Sequence, residues 1–287
     1  MDVRVPTSRD SDGGLGVSPV GAQVLAPFLT PSWPAPVLER REGKGDGGMV
    51  ENLFQQPATV CRWAFLGRWE YKRAWDLQRS LARARAEDRV GDTLLFLEHP
   101  PVYTLGRRSK PADLLLPRDA LEVRGAQLVD VDRGGEITFH GPGQLVGYPI
   151  ISLRAWGGPL QYVRALEEAL IRVLDVYGIA AGCLDGLTGV WAGGAKIAAI
   201  GVKVSRGVTT HGFALNVATD LSWFQNIVPC GIRDRDVTSM ERLLGQLVPV
   251  EGVASVVAEQ FGHVLGFHME ESATESVVGD KVLASTA

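Results

Sequence analysis

The chain has 287 residues, is 45% hydrophobic and carries a formal charge of −4. That length can bury a substantial core in one domain or two, and the mild acidity gives no reason to expect nucleic acid as a partner. Three cysteines at wide spacing, Cys61, Cys183 and Cys230, argue against a disulfide framework and for a reducing compartment, and no apolar run approaches the roughly 18–20 residues that span a bilayer.

Residues 1–48 are rich in Gly, Pro, Ser and Asp and read as a disordered extension. They lack the basic start and apolar middle of a signal peptide, and the early acids Asp2, Asp10 and Asp12 argue against a mitochondrial transit peptide. A cytoplasmic protein without membrane association is the expectation. Met49 precedes the first foldable stretch, so residues 1–48 are expected to be dispensable, or translation to begin at Met49. Loss of activity in a protein starting at Met49 would count against both. Residues 49–268 are expected to form one catalytic domain, with 269–287 as a frayed tail.

Within that domain, Trp69, Ala74, Trp75, Leu77, Leu81 and Ala82 recur near helical spacing among Arg, Lys and Glu. This predicts a basic amphipathic helix over 69–89. Residues 93–97 read as a buried strand ended by His99-Pro100-Pro101, and 102–105 as a second strand. A short helix opened by proline follows at 117–124, then a strand at 127–131. Segments 137–140 and 144–151 are predicted to pair as a hairpin across Gly141-Pro142-Gly143. A helix over 160–177 carries Tyr162, Leu166, Leu170, Val173 and Leu174 on one face and stops at Gly178. Strands are predicted at 190–192, 196–204 and 209–217. Thr238-Ser239-Met240-Glu241 has the spacing of a capping box, and a last helix covers 253–265. Helices and strands without strict βαβ alternation favour an α+β domain, a mixed β-sheet with packed helices.

Three segments carry chemistry. The first, Arg133 to Tyr148, sets glycines, a proline and His140 into a stretch otherwise suited to strand, as where a ligand approaches backbone closely. The second holds Lys196, which opens an apolar strand behind Ala192-Gly193-Gly194-Ala195. A solvated strand end and an ammonium projected into a pocket are both open readings of it. The third holds Cys230 between Pro229 and Gly231, a turn context that presents a thiol rather than packing it. Cys61 and Cys183 read as core thiols, the ordinary fate of cysteine. A nucleophilic cysteine needs its thiolate; with an unperturbed pKa of about 8.5, only a few per cent is ionised at neutral pH. Lys196 is the candidate cation to raise that share, although spacing alone does not show that the two meet. His140 and His211 each stand beside glycine and read first as structural hydrogen-bonders. No HExxH, CxxC, GxxxxGK[ST] or strand–helix GxGxxG occurs, so no metal and no cofactor is expected. The basic run Arg107-Arg108-Ser109-Lys110 is a solvated loop or a face for an acidic protein partner.

Arg133-Gly-Gly-x-x-Thr-x-His140-x-x-Gly143-Gln144-x-x-x-Tyr148 resembles the signature of the octanoyltransferases of lipoate biosynthesis, the lipoyltransferase B family. The resemblance continues through Gly189-Val190-Trp191, Lys196-Ile-Ala-Ala-Ile-Gly201, His211-Gly-Phe-Ala-Leu-Asn216, Pro229-Cys230-Gly231 and Thr238-Ser239-Met240, and covers residues 59–266. It implies the biotin/lipoate ligase fold and transfer of an octanoyl group from acyl carrier protein to a lysine of lipoyl domains, such as those of 2-oxoacid dehydrogenase complexes or the glycine-cleavage H protein. Cys230 would carry the acyl thioester, and Lys196 would lower its pKa and relay protons. The acyl site would be lined by Arg133, Gly134, Gly135, Glu136, Ile137, Thr138, Phe139 and His140, by Ala199, Ile200 and Gly201, and by Gly212, Phe213 and Ala214. Thioester exchange followed by aminolysis runs without ATP, which agrees with the missing phosphate loop. An octanoyl tail buries about seven carbons beyond its carbonyl, at most about 5–6 kcal/mol before ordering costs.

Rival readings remain on sequence grounds. An ATP-dependent lipoate or biotin ligase would share the fold without needing Cys230. A non-catalytic lipoyl-domain-binding protein would have no use for Cys230, Lys196 and His140 together. A Cys-His protease would need an orienting Asn or Asp that no clear context supplies.

Overall fold

The computed structural model describes residues 59–154, 157–228 and 236–279. The expected extension at 1–48 and the segment bearing Cys230 lie outside them. The described residues form a mixed eight-stranded sheet and a separate three-stranded one.

The large sheet begins with β1 (Thr59–Arg68), crosses through helix α1 (Tyr71–Ala86) and returns as the parallel strand β2 (Asp92–Glu98). β2 alternates strictly. Leu94 and Phe96 enter one core, Leu95 and Leu97 the other, as a strand buried on both faces requires. The chain then leaves for the small sheet: β3 (Val102–Leu105), a short helix α2 (Arg118–Val123), β4 (Gln127–Asp130) and β5 (Ile137–His140), with β3 central.

Here the sequence expectation is corrected. β5 does not form a hairpin with β6 (Gln144–Ile150); β5 pairs with β3, whereas β6 enters the large sheet between β2 and β10 (Val208–Asn216). The turn at 141–143 hands the chain from one sheet to the other. A Cβ on Gly141 would strike the Phe139 ring at 2.5 Å, and one on Gly143, at φ 79°, would strike the Ala218 carbonyl oxygen at 2.3 Å. The glycines there permit close crossing rather than a tight reversal.

Helix α3 (Pro159–Val176) packs with α5 (Val250–Leu265) over one face of the large sheet, enclosing Leu94, Phe96, Phe213 and Leu215. The other face carries α1 over Val146, Tyr148 and Ala214. The sheet continues from β10 through β9 (Ala195–Ser205) and β8 (Leu187–Ala192) to β7 (Gly182–Leu184). Helix α4 (Met240–Leu244) starts one residue later than the capping-box spacing suggests, with Ser239 as N-cap accepting from the Arg242 N–H at 3.2 Å.

The expected frayed tail is also corrected over residues 269–279. Gly266, at φ 75°, ends α5 and turns the chain back, and β11 (Phe267–Glu271) lies parallel to β1 at the sheet edge. Helix α6 (Thr274–Val278) follows and buries Val277 beside α1. Phe267 and Met269 alternate with His268 and Glu270, a half-buried strand pattern too short to stand out among charged neighbours. Among the described residues, no helix is long and apolar enough to cross a membrane.

Candidate active site

Small residues meet where β9 and β10 pair. Ala199 faces Ala214 and Gly201 faces Gly212 in register, which leaves the sheet without bulky side chains at these positions. The segment 133–140 crosses over them, with the Gly134 N–H donating to the Val202 carbonyl at 3.0 Å. A Cβ on Gly201 would meet the Gly134 carbonyl at 3.0 Å, so the glycine sets how closely the two backbones lie.

A slender cavity results. Of the expected lining residues, Arg133, Gly135, Glu136, Ile137, Thr138, His140, Ala199, Ile200, Gly201, Gly212, Phe213 and Ala214 border it, and so does Lys196. Gly134 and Phe139 do not. Phe139 turns into the small-sheet core and stacks on Trp223 with ring centroids 5.2 Å apart. Tyr71, Val146, Tyr148 and His211 complete the wall. Tyr148 and His211 stand inside the glycine-rich motifs, but nothing in the sequence marks Tyr71 or Val146 apart from helix and strand periodicity. The cavity is narrow, about 50 Å³.

Lys196 is 7% exposed, which decides between the two readings of its place: it lies inside, not at a solvated strand end. Its Nζ donates to the Thr188 carbonyl at 3.3 Å and lies 4.8 Å from the centroid of the Trp191 ring. Gly189, at φ 117°, lies against it; a Cβ there would meet the Lys196 Cε in ordinary contact at 3.5 Å but would strike the Ala198 carbonyl at 2.6 Å. The Lys196 backbone is bound on both sides by the chain after residue 235. Lys196 N–H donates to the Asp236 carbonyl, and Thr238 N–H to the Lys196 carbonyl, each at 2.9 Å. On the other flank, Val228 N–H donates to the Asp113 carbonyl at 2.8 Å.

A buried polar relay backs this arrangement. Thr238 accepts from Asn216 Nδ2 at 3.0 Å, Asn216 Oδ1 accepts from Gln144 Nε2 at 2.9 Å, and Gln144 Oε1 accepts from His140 Nδ1 at 2.8 Å. Burial first, then the positive neighbours, hold the His140 imidazole neutral, with its pKa well below the usual histidine range. His99, donating to the Trp69 carbonyl at 2.6 Å and accepting from Tyr148, is likewise held down to about 4 by burial. The Arg133 guanidinium donates to the carbonyls of Thr104, Gly134 and Glu136 and to the Thr104 hydroxyl, at 2.8–3.0 Å. It shapes the glycine loop from within. Arg107 and Arg108 tie their backbone N–H groups to the carbonyls of Arg133 and Gly135, which sets the basic run beside that loop.

The other cysteines divide. Cys61 is a core thiol whose pKa burial pushes far up. Cys183 is exposed instead, on the short edge strand β7, yet partial burial and then the nearby Glu167 still push its thiol up. Neither is poised for nucleophilic work.

Residues 70–262 match the lipoyl protein ligase A/B catalytic domain family. An octanoyltransferase of Chloroflexus aurantiacus is 53% identical over 204 residues, covering 70% of this chain and 92% of that one. This chain belongs to the octanoyltransferase family. A Rubrobacter xylanophilus octanoyltransferase is similar at 52% identity over 202 residues, covering 70% of this chain and 91% of its own. As an octanoyltransferase, the enzyme moves an octanoyl group. Its fold is shared with a bipartite lipoate protein ligase of Thermoplasma acidophilum, at 18% identity and a TM-score of 0.58, over 78% of this chain and 92% of the ligase.

Proposed function

We propose that this octanoyltransferase takes its acyl group from octanoyl-acyl carrier protein, holds it as a thioester on Cys230 and passes it to a specific lysine of lipoyl domains. The observation that carries this reading is the clamp around Lys196. The chain that follows residues 229–235 is hydrogen-bonded to the Lys196 backbone on both sides, while the Lys196 ammonium borders the cavity. Lipoyl domains are the family's acceptor class. The archaeal ligase that shares the fold was solved as part of a lipoylation system with its E2 lipoyl domain.

In the first half-reaction the Cys230 thiolate attacks the donor carbonyl. The acyl carbon–sulfur bond to the carrier breaks, and the carrier thiol leaves with a proton from Lys196. In the second, the acceptor amine attacks the acyl-cysteine, an amide forms, the cysteine thiolate is released and the amine proton returns to Lys196. A cation held in a mostly desolvated wall is suited to both steps, because it favours a thiolate and needs no reorganisation as charge develops. The carbonyl oxygen would be served by backbone N–H groups of the glycine segments.

The exposed Arg107, Arg108 and Lys110 sit beside the glycine loop and offer positive charge to an acidic carrier protein, with Arg108 ion-paired to Glu136 at 3.2 Å. Charge reversal at Arg107 and Lys110 should raise the donor KM in a salt-sensitive way; an unchanged KM retires that role. The main test is intact-protein mass spectrometry after incubation with octanoyl-acyl carrier protein and no ATP. One hydroxylamine-labile octanoyl group on Cys230, absent in Cys230→Ala, is the expected result. Robust turnover by Cys230→Ala would overturn the covalent route, and labelling that requires ATP and free octanoate would favour a ligase.

A further inference from the structure

We propose that the His211 side chain is the stop that limits how long an acyl chain the cavity accepts, and that it separates the cavity from a second groove behind it. The inference rests on the cavity being the acyl site.

Strand alternation would send His211 toward α3. Two residues earlier, the Thr209 hydroxyl donates to the Pro149 carbonyl on the adjacent strand, and two residues later Phe213 lies in the α3–α5 core against Phe96. His211 instead adopts φ 57°, uncommon for a residue with a side chain. Its ring lies on the α1 side, 5.9 Å from the Trp75 ring between centroids.

Such a conformation persists where its surroundings over-determine it, and is a pointer to function. His211 is held at both ring nitrogens and at its backbone N–H. Its Nε2–H donates to Asp132 Oδ1 at 2.8 Å, its Nδ1 accepts from the Tyr71 hydroxyl at 3.4 Å, and its backbone N–H donates to Gln78 Oε1 at 2.8 Å. Asp132 is itself anchored by Lys203 at 2.5 Å.

Two hollows follow one another along the same pair of elements. Along α1, Tyr71 borders the cavity, whereas Trp75 and Arg79 in the next turns border a groove of about 250 Å³. Along the β9–β10 hairpin, Gly212 borders the cavity, whereas Lys203, Val208 and Thr210 border the groove. His211 and its partner Asp132 stand between. The imidazole is 1% exposed, and burial lowers its pKa to about 4, so the wall that a methyl end would meet is uncharged. A chain that outgrows the cavity must displace this ring from its carboxylate, while the space beyond is several times larger than the cavity itself.

The test compares acyl-enzyme formation from octanoyl-, decanoyl- and dodecanoyl-acyl carrier protein by intact-protein mass spectrometry on the full chain. His211→Gly removes the ring and suits the positive φ. It should raise the dodecanoyl-to-octanoyl rate ratio by about tenfold or more, the scale on which methylene-sized differences discriminate. Thr210→Trp added to His211→Gly fills the groove and should return the ratio toward wild type, a reversal that general loosening of the fold would not give. Asp132→Ala, at a residue whose side chain is 34% exposed, keeps the ring but unpins it and should give an intermediate ratio even where the glycine variant folds poorly. Octanoyl adducts with unchanged ratios in the folded variants would overturn this inference alone. No octanoyl adduct on the wild-type protein would overturn the acyl-site reading and the inference with it.

Discussion

Lys196 shows how far single residues can be read. The sequence left two placements open because a lysine at a strand start is equally at home in solvent. What settles it is non-local: Gly189 and Trp191 on the neighbouring strand make its berth. If that ammonium supports the thiolate, Lys196→Ala should move the alkylation midpoint of Cys230 upward by about a unit or more and slow both half-reactions. An unchanged iodoacetamide pH profile would remove the role. The buried histidines make a separate expectation. His99 and His211, at about 4 in the folded protein, sit below the unfolded value near 6.5. Between those values the unfolded chain binds more protons, so folding stability rises with pH through that window and falls as pH drops from about 6.5 to 4. Each contributes on the order of 3 kcal/mol across it. Thermal melts should therefore weaken steeply from pH 7 to pH 4.5, and His99→Gln should flatten the slope.

At the scale of elements, helical periodicity located α1 and α3, and unbroken apolar runs located β2 and β9. It failed where pairing partners matter. Residues 137–151 carry the local chemistry of a hairpin, yet Phe139 finds Tyr103 and Trp223 in the small-sheet core, and Tyr148 finds His99 under the large sheet. Two cores pulling on either side of Gly141-Pro142-Gly143 override the local preference. The cavity was legible only as motifs, since Tyr71 and Val146 join it through packing. Gly189→Ala tests the fit between β8 and β9: strain at φ 117° together with the clash against Ala198 should cost about 1–3 kcal/mol. Activity should fall as well, because relieving the clash against the Ala198 carbonyl shifts β8 against the strand that carries Lys196. Equal melting temperature and equal kcat would count against it.

For the molecule as a whole, the mixed sheet has one core under α3 and α5 and another under α1, and the cavity beside Lys196 lies where the second meets the small sheet. The C-terminal strand closes an edge. Without β11 and α6, β1 would present unpaired backbone at the sheet border. A chain ending at Gly266 should therefore melt lower and aggregate at concentrations the full chain tolerates, by light scattering; identical behaviour would show that the edge needs no cover. The tail's role escaped the sequence because Phe267 and Met269 are only two apolar positions, meaningful once β1 lies beside them.

The tethers on either side of residues 229–235 have a kinetic consequence. Val228 is fastened to Asp113 near the small sheet, and Asp236 to Lys196 in the large one. Whatever path the seven intervening residues take, both their ends are fixed to the folded body. On the proposed mechanism these two anchor points hold the nucleophile's segment to the same body as the Lys196 ammonium, and short tethering of that kind corresponds to an effective concentration on the order of millimolar. Severing either tether should lower that concentration while leaving both groups chemically intact.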